Sequence, residues 1–265
     1  MEINFKYVIG SGWWASDGEA NENPERKRFG DERIRSVSFF ETWISAIQRT
    51  SAPEAVVVVD SAAPITPNLE AYSEVVWVSL PFNARHATDH LGRWCGWSRS
   101  VLTGAQYALM SDADYFVYVE QDCLLSGKGI IEKCIEEMRR PFMFGSGAGT
   151  PQPIQQSFFV IRSDRIPRFL RNYEEIQLSD KLLSPEWKFV IATWRPFVWV
   201  ANMGLTRLGF VRRLMLATAE RFLFQTLPFG HGRARPIDFK DRFFYFQHGT
   251  EDELTAYEEQ IVRRQ

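Results

Sequence analysis

The sequence predicts an α/β domain whose sheet is mostly parallel. Three observations carry this. Two apolar runs, Ala55–Val59 and Tyr115–Val119, do not alternate and are rich in β-branched and aromatic residues, as strands covered on both faces are. Stretches with apolar residues at helical spacing lie between and after them. The second run also ends in two carboxylates, Glu120 and Asp122, around the amide Gln121. A buried strand cannot hold two ionised carboxylates in its middle without partners, but at its carboxyl end it can, and open α/β sheets bind ligands there.

In chain order, Phe5–Ile9 reads as a first short strand ending in Gly10-Ser11-Gly12, where missing side chains leave room for a turn or a close ligand. Residues 15–32 are polar and charged. They read either as a solvated loop or as a flap bringing Arg26, Lys27 or Arg28 to a phosphate. Residues 31–50 repeat Ile34, Val37, Phe40, Ile44 and Ile47 at helical spacing, and Pro53 stops the helix. Ala55–Val59 is a second strand, closed by Asp60, whose plain role is to cap the next turn. Val75–Leu80 is a third.

Residues 84–98 are a polar and aromatic connector. His86 and His90 are four apart, but no Glu or Cys completes a metal set, and Gly92 and Gly96 oppose a long helix. Ser98 reads as the N-cap of a helix to about Ser111, with Arg93 and Arg99 near its start, a setting that suits phosphate. That helix feeds the Tyr115–Asp122 run. On an extended backbone, Glu120 and Asp122 would point to one side and supply half of a Mg²⁺ or Mn²⁺ site.

Beyond the motif, 130–138 is amphipathic, Pro141–Phe144 and Ser157–Asp164 read as strands, and 167–177 reads as a helix. The glycine-rich stretch 145–151 lacks dinucleotide-fingerprint spacing. Residues 195–227 interleave apolar residues with Arg207, Arg212, Arg213 and Arg221. They read either as helices packed on the sheet with arginines outward or as a contact with a membrane surface. A basic glycine-rich loop, 228–236, precedes a strand at 243–247, and Thr250 with Glu253 forms a capping box for the last helix.

At 265 residues the chain is one large domain or two small ones. A net charge of −2 gives no reason to expect nucleic-acid binding. Three cysteines without metal spacing read as reduced thiols. No apolar run approaches the length of a membrane span, and residues 1–6 lack a signal-peptide core, so a cytoplasmic protein is expected.

The order strand, helix, strand, a helix with arginine near its start, then an apolar strand into acidic-x-acidic resembles the nucleotide-sugar-binding half of GT-A fold glycosyltransferases, especially the bacterial family 2 type. Their DxD element stands here as Glu120-Gln121-Asp122, a departure at the first position that makes Asp122 the firmer metal ligand. The resemblance covers most of the chain by pattern but rests on few specific residues. It implies a GT-A-like sheet flanked by helices with a helical C-terminal segment. It also implies a single domain, 1–265, with a nucleotide-sugar half (1–125) and an acceptor half (126–265).

His248, after a late strand and before Gly249, resembles the C-terminal histidine ligand of that family, so Asp122, Glu120 and His248 form the expected Mn²⁺ or Mg²⁺ set. Asp60, Arg93, Arg99, Glu120, Arg233 and Arg235 are the expected donor-binding residues. Glu186, after Pro185 at a helix start, is the expected catalytic base, with Asp180 behind it. Either carboxylate is also an ordinary stabilising choice there. The activity implied is inverting transfer from a nucleoside-diphosphate sugar to a hydroxyl of a glycan, lipid-linked or other acceptor, in bacterial surface glycan synthesis. If configuration is retained instead, Glu186 is structural. A lipid-linked acceptor would bring the protein to the inner face of the membrane through 195–227. A nucleotidyltransferase and a non-catalytic nucleotide-sugar-binding protein remain open; against the former, Gly10-Ser11-Gly12 leads into Trp13-Trp14 and not into a basic loop.

Overall fold

The computed structural model describes residues 5–16, 29–90 and 92–264; Arg26, Lys27 and Arg28 lie outside the described residues. The strands are β1 (Tyr7–Trp13), β2 (Ala55–Asp60), β3 (Val75–Ser79), β4 (Tyr115–Val119), β5 (Cys123–Ser126), β6 (Phe142–Ser146), β7 (Ile154–Arg162), β8 (Phe224–Thr226), β9 (His231–Gly232) and β10 (Phe244–Gln247). The α-helices are α1 (Phe39–Thr50), α2 (Gly96–Met110), α3 (Ile130–Glu136), α4 (Ile166–Glu175), α5 (Pro185–Ala192), α6 (Arg195–Asn202), α7 (Gly209–Phe222) and α8 (Glu251–Arg264).

Seven strands form one sheet in the order β3-β2-β1-β4-β7-β6-β8. Only β7 runs against its neighbours, so the mixed, mostly parallel α/β sheet expected from sequence is present. From β1 the chain builds outward through β2 to β3, then returns to place β4 on the other side of β1. The strand order therefore reverses between β1 and β4, and the crevice at their carboxyl ends is where such sheets take ligands.

Each face of the sheet is covered. On one, α1 and α3 pack with β5 and β10 around Phe40, Trp43, Ile131 and Phe246. On the other, α2, α4 and α5 pack around Phe116, Phe159, Phe169 and Phe189. The aromatic surplus fills both layers; in the second, the Phe159 ring has those of Tyr118, Phe144 and Phe189 at centroid distances of 5.2, 5.9 and 5.0 Å. Burying each such side chain contributes about 1.5–3 kcal/mol.

Two local expectations are revised. The first strand does not stop at Ile9 but runs through the glycines to Trp13. Gly10 and Gly12 serve close packing: a Cβ on Gly10 would meet the Phe116 ring at 2.6 Å, and one on Gly12 would meet Ser100 Oγ at 2.8 Å. Helix α2 thus lies tight against β1. The helix expected over 31–50 is split into a single 3₁₀ turn, Glu32–Arg35, and α1. All three cysteines are buried and free, and burial pushes the Cys95 thiol up to about 12.

Candidate active site

The acidic motif does not lie on one extended strand. β4 ends at Val119, Glu120 to Asp122 turn, and the chain leaves the large sheet to start β5 in a second sheet, β5-β10-β9. The turn is pinned from both sides. Glu120 N–H donates to the Ser157 carbonyl at 2.8 Å, and Cys123 N–H donates to the Glu120 carbonyl at 2.9 Å. Gln121 accepts from the Trp14 N–H at 2.8 Å and donates to the Trp14 carbonyl at 3.1 Å. The middle residue of the motif thereby ties it to the end of β1, at the crevice where the strand order reverses.

Strand pairing brings the late histidine to the motif. β10 runs antiparallel to β5 with Gln247 opposite Cys123, so the next residues outward, His248 and Asp122, come side by side. His248 Nε2 lies 3.3 Å from Asp122 Oδ2, with both side chains less than a fifth exposed. Burial lowers the His248 pKa, Asp122 opposes this, and Arg233, Arg35 and Arg235 add to the lowering. The neutral imidazole this favours is the form that ligates metals.

Gln247 joins the two carboxylates. Its Nε2 donates to Glu120 Oε2 at 2.6 Å and to Asp122 Oδ1 at 3.2 Å, while Arg233 Nε donates to its Oε1 at 3.1 Å. The guanidinium fixes which way the amide points, because a flipped amide would face it with its own N–H groups. His248 itself adopts φ 57°, a left-handed backbone uncommon outside glycine. Segment 29–31 braces it: the Phe29 ring stacks on the imidazole at 5.6 Å, and Asp31 N–H donates to the Gly249 carbonyl at 2.8 Å. Gly30 is required there, since it has φ +76° and its Cβ would meet the His248 backbone at 2.7 Å.

The donor set fits a hard divalent ion in part. Among the described residues no three His, Cys, Asp or Glu side chains form a ready-made cage. Asp122 and His248 are adjacent, however, and Glu120 reaches the same amide as Asp122. Mg²⁺ in particular is commonly held by one or two protein groups with water and substrate phosphates supplying the rest.

Of the other expected residues, Arg233 and Arg235 touch this centre through Gln247. Asp60 ends β2 with its side chain buried; Oδ1 accepts from Ala63 N–H at 2.9 Å. Burial raises its pKa, against the Ala63 N–H and the Ser79 hydroxyl, which lower it. Arg233 is anchored through its N–H to Gln155 Oε1 at 2.7 Å. Arg235 pairs with Glu253 and donates to the Gln247 carbonyl at 2.8 Å, so it braces the end of β10. Arg93 is spent on the carbonyls of Glu174 and Ile176, at the end of α4. Arg99 donates to the Trp94 carbonyl at 3.0 Å and lies over the Phe82 ring.

Asp180 has a structural setting. Oδ2 accepts from Cys95 N–H and Ser98 Oγ, both at 2.7 Å, and Oδ1 lies 2.7 Å from Lys188 Nζ, with neither side chain exposed. The N-cap of α2 is Cys95 and not Ser98, which lies inside the helix; a carboxylate enclosed by both and by Lys188 has no path to an acceptor. Glu186 stands in the first turn of α5 behind Pro185, with a residual 9% exposure. His86 and His90 lie in a loop and bond locally, to Thr88 Oγ1 and the Ala87 carbonyl, both at 3.1 Å. Sequence reasoning missed Gln247, Phe29 and Arg35; only the register of β5 and β10 and the packing of 29–35 assign them here.

Two clefts lie elsewhere. One of about 850 Å³ runs between the end of α3 and β8, and one of about 330 Å³ lies against the 145–154 loop. Neither is lined by Glu120, Asp122 or His248.

No family model matches the chain, and no curated protein sequence does. Three solved structures are similar to this chain at low identity. One is S. aureus TarS 1–349 in complex with UDP: 11% identity, 97% of this chain and 66% of that one covered, TM-score 0.46. Another is the mannosyltransferase PcManGT from Pyrobaculum calidifontis in complex with GDP-Man and Mn²⁺: 11% identity, 82% and 79% covered, TM-score 0.39. A third is a cytidylyltransferase from Leptospira borgpetersenii: 13% identity, 90% and 82% covered, TM-score 0.41. The chain thus spans just under two thirds of the TarS chain. At these identities the likeness is one of fold and does not decide what this chain does; its own residues must.

Proposed function

We propose that this chain is a metal-dependent glycosyltransferase that moves a sugar from a nucleoside-diphosphate donor to a hydroxyl acceptor. The observation that carries it is the meeting of Asp122 and His248, 3.3 Å apart, at the crevice where the strand order reverses. Asp122 and His248 would hold Mn²⁺ or Mg²⁺, with Glu120 in support. Bound there, the ion supplies Lewis-acid relief of the charge that builds on the departing nucleoside diphosphate.

The chain's own groups do the rest. Arg233 sits beside the acidic pair and offers its remaining N–H groups to diphosphate oxygens. Arg235 holds the strand end that carries His248. Asp60, at the end of β2, orients the base or ribose. Glu186 takes the proton of the acceptor hydroxyl as it attacks the anomeric carbon, which inverts configuration.

The test is a thermal-shift panel of UDP, GDP and CDP with and without Mn²⁺. A Mn²⁺-dependent shift with one nucleotide, lost in Asp122→Ala, is expected. No shift with any of them, or a shift that survives Asp122→Ala, overturns the proposal. Release of nucleoside diphosphate rather than pyrophosphate on turnover separates sugar transfer from nucleotidyl transfer.

A further inference from the structure

Among the described residues, eight of the twelve large apolar side chains that are exposed fall between Trp194 and Phe222. Trp199 is 57% exposed, Met203 73%, Phe210 62% and Leu214 66%. This is not a helix face left over from core packing. α6 already buries Phe197, Val198 and Ala201, and α7 buries Met215 and Ala219. The second apolar face points outward, and folding gives no reason for it.

The face is continuous. Leu205, in a 3₁₀ turn over Leu205–Arg207 that packs on both α6 and α7, and Leu208 after it bridge the two helices. On α7, Phe210, Arg213, Leu214 and Arg221 recur at helical spacing on the exposed side. Its charge is one-sided. Residues 194–222 hold five arginines and one carboxylate, Glu220, against a net −2 for the whole chain; Arg195 lies 3.8 Å from Glu175 and Arg212 is turned onto Trp187 and the Thr206 carbonyl, so Arg207, Arg213 and Arg221 are the arginines that edge the exposed apolar side chains.

We propose that α6, the 205–207 turn and α7 form a docking face for an anionic lipid bilayer. Trp, Phe and Leu edged by arginine is the composition of a segment lying in the interfacial plane, with apolar side chains among the acyl chains and guanidinium groups at the phosphates. No helix among the described residues is long and apolar enough to cross a membrane, so the contact is a surface one. A second copy of the chain is a poor occupant, because a two-fold pairing would set the exposed Arg207, Arg213 and Arg221 of one copy against the same arginines of the other. The proposal does not depend on the catalytic reading, and its test uses no nucleotide.

The test is co-sedimentation of the full chain with vesicles of phosphatidylcholine alone and of phosphatidylcholine with phosphatidylglycerol. Binding to the anionic vesicles, weakened by salt, is expected. Phe210→Ser with Leu214→Ser, and separately Arg207→Gln with Arg213→Gln, should each weaken it about tenfold with unchanged melting temperature. Absence of binding by the folded protein overturns the proposal. So does equal binding to both vesicle types, or a concentration-dependent dimer that Leu214→Ser dissociates.

Discussion

Gln247 holds Glu120 at 2.6 Å through the amide nitrogen that also reaches Asp122. Two carboxylates that would repel are thus joined by a neutral donor, itself oriented by Arg233. Gln247→Ala should cost about 1–3 kcal/mol in urea denaturation, because it strips a charged donor and two charged acceptors of a partner at a buried position. Added Mn²⁺ should restore part of the loss, since a cation can relieve the same repulsion. Lack of any Mn²⁺ effect would count against a metal at this site.

Asp122→Asn and His248→Ala should both weaken Mn²⁺ binding, read by isothermal calorimetry with the matching nucleoside diphosphate. The loss should be on the order of a hundredfold for Asp122→Asn, the charged ligand, and about tenfold for His248→Ala. Equal affinity in His248→Ala would leave the histidine a purely structural end to β10.

Glu186→Gln separates base from scaffold. As a base, its loss should lower kcat about 10²–10⁴-fold while the nucleotide thermal shift stays unchanged. An unchanged kcat would return Glu186 to its helix-start role and point to retention of configuration.

Lys188 and Asp180 form a fully enclosed ion pair at 2.7 Å. Burial lowers the Lys188 pKa and Asp180 opposes the shift. Lys188→Met should therefore destabilise by about 3–5 kcal/mol by leaving the carboxylate unpaired. Asp180→Asn with Lys188→Met should recover part of this, because the amide oxygen keeps the Cys95 and Ser98 donors. Chemical denaturation checks both.

Gly10→Ala tests the close approach of α2 to β1. Its Cβ would lie 2.6 Å from the Phe116 ring, in a core with no slack, so a loss of about 1–3 kcal/mol is expected. A neutral effect would mean that the ring shifts freely.

The sequence by itself determined the elements that local chemistry controls. β-branched runs such as Ala55–Val59 and Tyr115–Val119 cannot pack except as covered strands, and the apolar spacing of α1, α2 and α3 commits each to one buried face. The capping box was legible for the same reason: Thr250 N–H donates to Glu253 Oε2 at 3.0 Å, three residues on. The placing of Glu120 and Asp122 at a strand end was legible too, because burial forbids them elsewhere.

What only the tertiary structure decided are relations between distant segments. The turn at Gln121, the Gln247–Cys123 register and the brace at Phe29–Asp31 depend on which strands pair, and no local pattern encodes that. Asp180 shows the limit most sharply. In sequence it is a carboxylate near a helix start, as a base would be. In the fold it is sealed between Lys188 and the start of α2, because Cys95, which closes over it, comes from 85 residues earlier.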